Sequence, residues 1–442
     1  MLQRMRSWWF DLQQGLWFVP SVMTAVAAIL AFVMIRLDEE VLADRNLQSW
    51  WFFEGGAEGA RGVLTAIAGT MITVATTVFS ITIVALQLGA SQFSPRILRG
   101  FTRDRGNQLV LGIFIATFVY TLLVLRTVQS ESADLRVFVP ATSVTLAMLL
   151  AFTAIGSLIF YFHHATRTIQ ASVVIDRAAN DTLTLIDARL GQAARADTTT
   201  VAASETVTHE DLLEVAAGRS GYITAIDTDA LLELAGKHQI LITIGAHVGA
   251  HVLSSTSLAT TPQASLSSFS DAHRDRITQQ IRKAFEIEIE RTLENDVLLG
   301  FRQLADIAVK ALSPGINDPT TAVTCIDRLG EALLQARHFR RETAYRGGSD
   351  GQGGIRQTSI GFADIVGECL PQIRHYAAGD VVVVCHLLHV LQDVQAVADN
   401  ANTDATDVLA HQARLIVEEA NETLTVAADR YQVREAGHWA VS

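Results

Sequence analysis

Residues 73–96 read TVATTVFSITIVALQLGASQFSPR. The stretch is apolar enough to enter a bilayer and carries no charge before Arg96, yet hydroxyls and amides recur among its aliphatic residues. On a helix, residues three and four apart share a face. Stepping in that rhythm gives Thr70, Thr73, Thr77, Ser80, Val84, Gln87, Ser91 and Ser94, all polar except Val84. Ile72, Val74, Phe79, Ile83 and Leu86 fall on the other side. The pattern predicts a membrane helix with a polar stripe. Two readings compete for it. Ser and Thr let helices approach closely and bond to neighbours or to their own i−4 carbonyls. Alternatively, copies of the helix around an axis line a wet passage whose hydroxyls solvate ions weakly enough for conduction.

Outward from that helix, four segments lack charge for about the 20 residues that cross a bilayer. They run over residues 12–35, 62–95, 106–125 and 137–162. None has an internal ionisable group, which disfavours a proton-coupled pump. Arginines crowd the N-terminus (Arg4, Arg6), the loop after the second span (Arg96, Arg99, Arg103, Arg105) and the chain beyond the fourth (Arg167, Arg177). The other two loops are acidic or balanced. The positive-inside rule then predicts an inner-membrane protein with both termini in the cytoplasm. The first span is too long for a cleavable signal and lacks a small-x-small site.

Charge divides the chain. Residues 1–164 hold 11 Lys/Arg and 10 Asp/Glu, whereas the remainder holds 23 and 36. An acidic second half argues against nucleic acid, whose phosphates need a basic surface. It suits the attraction of cations. The three cysteines, Cys325, Cys369 and Cys385, have neither metal spacing nor a disulfide framework.

Helical periodicity continues from Ala165 to about Leu190. Then GYITAID reads as a strand, TDALLELAGKH as a helix and QILITIGAHVGAHVL as strand–turn–strand. FEIEIER alternates strictly, which puts Glu286, Glu288 and Glu290 on one face and Phe285, Ile287 and Ile289 towards a core. Repeated around a symmetric assembly, those carboxylates would form an acidic vestibule beneath a pore; alone, they are a solvated strand face. From about Asp296 the pattern is helical, broken at SPGINDP, where Pro314 and Gly315 end one helix. Asp318 caps the next, with Pro319 at its first position. Ser313, Pro314, Asn317 and Asp318 are the candidate structural or ligand loop. RGGSDGQGG reads as a flexible loop, and helices fit 361–377, 380–399 and 404–430. Cys385, His386 and His389 share a helix without a further ligand nearby. No nucleotide, hydrolase or metalloprotease motif occurs. The expectation is therefore no enzyme, no cofactor and no metal site.

TVATTVFSITIVALQLGASQFSPRIL, NQLVLGIFIATFVYTLLVLRTV and RQLADIAVKALSPGINDPTTAVTCIDRL together resemble the DUF2254 family of bacterial predicted membrane proteins. The resemblance covers most of the chain and implies four N-terminal spans and a cytoplasmic C-terminal domain. The family has no assigned function, so it supplies no site residues. Its turn after the first cytoplasmic strands more often reads P-G-D-x-V-x-x-G; IGAHVGAHV here lacks the Pro and Asp.

The fold expected is an α-helical membrane protein with four transmembrane helices over 1–164, then a mostly α cytoplasmic part containing a small β module (α+β). A linker helix and α+β module fill 165–295, and a helical domain fills 296–442. The function expected is a homo-oligomeric channel for small inorganic cations, in contact with membrane lipid and with itself. Thr70, Thr73, Thr77, Ser80, Gln87, Ser91 and Ser94 would line it. The alternatives are a non-conducting scaffold or sensor that binds a ligand or partner through its cytoplasmic domain, and a membrane enzyme.

Overall fold

The structure is a computed structural model. It describes residues 17–42, 53, 55–92, 105–129, 138–168, 170–195, 199–200, 212–267, 269–347, 353–397 and 403–440. The chain divides into two compact units, Met1–Val173 and Val174–Ser442.

The first unit is helical because long runs of Leu, Ile, Val, Ala and Phe must satisfy every backbone group internally to lie in hydrocarbon. Its helices are α1 (Phe18–Leu37), α2 (Ala57–Gln92), α3 (Arg105–Thr127) and α4 (Ala141–Thr168). All four are long and apolar enough to cross a membrane. Helix α3 is central and packs against each of the other three. Its close approach to α1 rests on Gly112, where a Cβ would sit 2.5 Å from the Met23 sulfur and 3.4 Å from the Pro20 Cα. Ala31, Leu64, Tyr120, Val124, Val144 and Ala147 form one part of the core, and Met71, Val78, Phe114, Ala154 and Tyr161 another.

Two boundaries differ from the sequence reading. A π-helical turn over Asp38–Leu42 follows α1, so the first apolar helix takes in an acidic residue that the charge-free run had excluded. Helix α4 stops at Thr168, and α5 (Ala171–Arg195) begins afresh, where periodicity alone had run them together.

The second unit is α+β. One sheet has six strands in the order β1 (Thr199–Thr200), β8 (Thr343–Gly347), β9 (Gly354–Thr358), β4 (Leu241–Ile244), β6 (Ser257–Pro262) and β2 (Leu212–Ala216). Only the β4–β9 pair is parallel. A second, antiparallel sheet has the order β5 (His251–Val252), β3 (Gly221–Ile226), β7 (Phe285–Glu288). Helices α6 (Thr228–His238), α7 (Gln263–Leu266) and α8 (Asp271–Lys283) accompany them. Leu231, Ile242, Leu258, Ile277, Ile281, Phe285 and Ile287 belong to their shared core. Helices α9 (Val297–Ala311), α10 (Pro319–Ala336), α11 (Phe362–Ala377), α12 (Val381–Val397), α13 (Thr403–Thr423) and α14 (Ala427–Ala436) complete the unit.

QILITIGAHVGAHVL is strand–turn–strand as read, with β4 and β5 joining different sheets. Elsewhere in this unit the sequence reading needs three corrections. The RGGSDGQGG loop joins two strands, β8 and β9, and β9 enters the sheet beside β4; the weakly apolar TAYRG and GIRQT gave no alternation strong enough to reveal them. The single helix expected over 404–430 is two, broken between Thr423 and Ala427. Strand β7 stops at Glu288, and Ile289 is 88% exposed instead of facing the core.

Candidate functional site: the outward face of the longest membrane helix

Helix α2 is 36 residues long and presents three sectors. Ala60, Leu64, Ala68, Met71, Ala75 and Val78 are buried. At about 100° per residue, Thr73 lies roughly 200° from Ala75, so the predicted stripe points away from the packed sector. Thr70, Thr73, Thr77, Ser80 and Gln87 are all exposed. Ser91 belongs to the helix, but its side chain lies outside the described residues, as does Ser94 altogether. Ile72, Phe79 and Ile83 form a separate exposed apolar sector. The stripe is therefore not sealed among the helices of its own bundle, as intramolecular packing would have required.

Its hydroxyls are not bare. Thr70 donates to the Ala66 carbonyl at 2.7 Å, Thr73 to Gly69 at 2.8 Å, Thr77 to Thr73 at 3.0 Å and Ser80 to Thr76 at 2.9 Å. Thr76, which the heptad-like stepping missed, is exposed and donates to Ile72 at 2.9 Å. Each proton is thus directed inward along the helix, and each oxygen keeps its remaining lone-pair capacity outward.

The neighbouring helices present a different chemistry. The outward residues of α1 include Val22, Val26, Ile29, Phe32 and Val33, and those of α4 include Leu149, Phe152, Ile155, Ile159 and Phe160. Those are side chains for lipid tails. Several hydroxyls elsewhere in the unit serve packing, although Thr153 on α4 is exposed and donates to the Leu149 carbonyl at 3.0 Å. Thr117, Thr121 and Ser143 are buried, and Tyr120 donates to the Ser143 carbonyl at 3.1 Å.

Sequence reasoning missed Asp38. Its carboxylate is buried and reaches the first turn of α4, 104 residues away. It accepts from the backbone N–H groups of Thr142 at 3.2 Å and Ser143 at 3.0 Å. It also accepts from the Ser143 hydroxyl at 2.6 Å and from the Thr142 hydroxyl. Pro140 precedes α4 and has no side-chain acceptor, so Asp38 supplies the cap from another helix. Only the pairing of an uncapped Pro140-Ala141 start with an acidic cluster at a span end hinted at it.

In the second unit, Glu286 and Glu288 are exposed on β7 with Phe285 and Ile287 buried beneath. Glu290 lies beyond the strand, so the face holds two of the three predicted carboxylates. Strand β7 is an edge of its sheet, where outward charge also discourages pairing with a foreign strand. Ser313, Pro314, Asn317 and Asp318 form a turn closed by the Asp318 N–H donating to Ala311 O at 2.8 Å. Asn317 there takes φ 48°. The Asp318 carboxylate accepts from the Thr321 N–H at 3.1 Å and its hydroxyl at 2.5 Å. Those bonds hold it below the ordinary carboxylate value. The cap is occupied, and Pro314 and Asn317 are exposed around it.

Several other titratable groups are engaged or buried. Asp296, capping α9, is 1% exposed and is gripped by Arg291 through Nε at 2.7 Å and a second nitrogen at 3.0 Å. Gly249, at φ +90°, lies so close to that carboxylate that a Cβ would overlap it. His386 contacts Asp327 at 2.5 Å, and Cys385 is buried. Burial raises the thiol of Cys369 to about 12 and pushes those of Cys325 and Cys385 upward as well. Among the described residues no three His, Cys, Asp or Glu side chains cluster as a metal would need.

The family described as "Predicted membrane protein (DUF2254)" matches residues 13–393. The chain is similar to two uncharacterized mycobacterial proteins, Rv1290c of Mycobacterium tuberculosis and Mb1321c of Mycobacterium bovis. Each is 33% identical over 450 residues, covering 98% of this chain and 81% of the relative. No solved structure matches.

Proposed function

The chain belongs to the DUF2254 family of predicted membrane proteins, and from that premise we propose that it is a homo-oligomeric cation channel of the bacterial inner membrane. The supporting observation is the contrast among outward faces. Helices α1 and α4 turn Phe, Ile and Leu outward, whereas one face of α2 turns Thr70, Thr73, Thr77, Ser80 and Gln87 outward. A face of hydroxyls and an amide gains nothing from lipid tails. In an oligomer with α2 nearest the axis, the same face meets water and the face's own copies.

Back-bonding sets the preference for cations. With the hydroxyl protons committed to i−4 carbonyls, the hydroxyl oxygens facing the passage accept and do not donate. That part of the lining attracts small cations weakly and gives anions no hydroxyl donor, while the Gln87 amide both accepts and donates. Both termini lie in the cytoplasm on the arginine distribution. On that side of the membrane the exposed Glu286 and Glu288, with Glu290 beside them, contribute negative charge that attracts cations. The chain carries no catalytic role in this reading.

The test is ion flux in proteoliposomes, comparing wild type with Gln87→Leu and Ser80→Leu. Cation flux above empty vesicles, reduced several-fold by either change and without matching chloride flux, is the expected result. Equal flux in wild type and both variants removes these side chains from any path. No flux from an intact oligomer favours the second reading, a scaffold whose α2 faces pack dry against each other; the satisfied hydroxyls are compatible with that.

A further inference from the structure

We propose that His238, Phe269 and His273 form a proton-operated clasp in the second unit, closed while both imidazoles are neutral and released on acidification. It goes beyond the channel reading and does not depend on it. His238 ends α6, and His273 lies in the first turn of α8. The two rings sit with centroids 5.1 Å apart, and Phe269 stacks on His273 at 4.8 Å and meets His238 edge-on at 5.8 Å. Nε2 of His273 is buried with no hydrogen-bond partner among the described residues. Charging that imidazole would bury an N–H carrying positive charge with no acceptor, a costly state.

The surroundings supply no compensation. Lys237 on α6 adds positive charge beside His238. On α8, Asp271 is fully exposed and faces Arg274 at 3.8 Å. Arg274 itself is bonded to the Leu266 and Ser267 carbonyls. Asp275 and Arg276 are exposed, as are Glu233 and Asp229 on α6, the last paired with Arg346 at 3.3 Å. Of the strands packed against α6 and α8, β4 contains no ionisable side chain, β2 and β7 carry the exposed Glu214, Glu286 and Glu288, and β8 and β9 carry Arg346 and Arg356. His375 and His386, by contrast, each pair with a carboxylate, Glu419 and Asp327. Burial, then His273 and Lys237, hold His238 below the ordinary imidazole value of 6.5.

The sign follows from linkage. The open state binds more protons than the closed one below 6.5, so the clasp is intact above that value. It weakens as pH falls towards the lower value held in the closed state. The closed-to-open ratio drops by at most about tenfold per pH unit for each proton taken up. Release frees the start of α8, whose far half stays anchored by the buried Ile277 and Ile281 and by Arg282 bonded to the Ala216 carbonyl at 2.8 Å.

Hydrogen exchange of the full-length protein in micelles tests this over roughly pH 5 to 8, corrected for intrinsic exchange. Wild type is expected to lose protection over residues 269–276 on acidification, while the double variant His238→Phe, His273→Phe, which keeps packed rings without a titrating group, holds it. Protection that is flat with pH in wild type, or lost equally in the double variant, overturns the clasp. Should the double variant fail to fold, wild-type imidazole NMR decides. A midpoint below the ordinary range at His238 supports the clasp, and one at or above it refutes it.

Discussion

Removing the Asp38 carboxylate should loosen the start of α4 without touching α4 itself. Asp38→Ala deletes an acceptor bonded to two backbone N–H groups and two hydroxyls at a position 5% exposed. The hydroxyls of Thr142 and Ser143 can rotate to other acceptors. The N–H groups cannot, and Pro140 offers them none. A buried donor left unsatisfied costs about 1–3 kcal/mol, and loss of a helix cap by itself about 0.5–2 kcal/mol. These estimates overlap and do not add, so about 3 kcal/mol is the working figure, equivalent to about 100-fold in a local opening equilibrium. Hydrogen exchange over residues 141–147 in micelles reads that factor directly, with α2 peptides as the internal control. Asp38→Asn should fall between, since one oxygen remains an acceptor while the amide N–H₂ confronts a donor. Protection of the first turn within about threefold of wild type in both variants would refute the cross-helix cap.

Two further outcomes follow from other parts of the structure. Thr77→Cys should cross-link between protomers in membranes under mild oxidation and Phe152→Cys should not, because only the first lies on the face proposed to meet its own copies; equal yields would contradict that assignment. Arg291→Ala should destabilise the second unit by about 3–5 kcal/mol in thermal or urea unfolding, since it strips the two-nitrogen grip from a carboxylate 1% exposed. Arg291→Lys should not restore it, because a single ammonium cannot reproduce the planar fork.

The membrane helices were legible because an uncharged apolar run long enough to span has few other fates. Asp227, Asp296 and Asp318 each accept from an N–H three residues on; the last was readable as a cap because Pro319 follows it at the first helical position. What escaped was non-local. Asp38 sits in a cluster of acidic residues, DEE, and nothing in that cluster marks one member as buried. Its meaning depends on a proline 102 positions later that leaves a helix start uncapped. Strands β8 and β9 escaped for the same reason. Thr343 to Gly347 and Gly354 to Thr358 pair with each other and, through Ile355 opposite Ile242, with a strand more than a hundred residues earlier. Short strands of that kind are specified by the neighbours that cover them, not by their own alternation.

Helix α2 shows the limit of periodicity most sharply. Counting by three and four located the hydroxyl stripe and put Ile72, Phe79 and Ile83 on another side, but it did not say which face packs against the bundle. The packed sector is Ala60, Leu64, Ala68, Met71, Ala75 and Val78. Alanine at three of those six places lets the backbone of α3 come close, and close packing in a bilayer favours small side chains because lipid is as apolar as any core. The large residues are then left for the hydrocarbon, which solvates them well. A helix with one small apolar face, one large apolar face and one hydroxyl face can rank its faces only by what surrounds each. The first has α3 and the second suits lipid. The third, its protons already committed to its own carbonyls, matches neither, and that mismatch is the physical ground for assigning it to a second copy and the water between them.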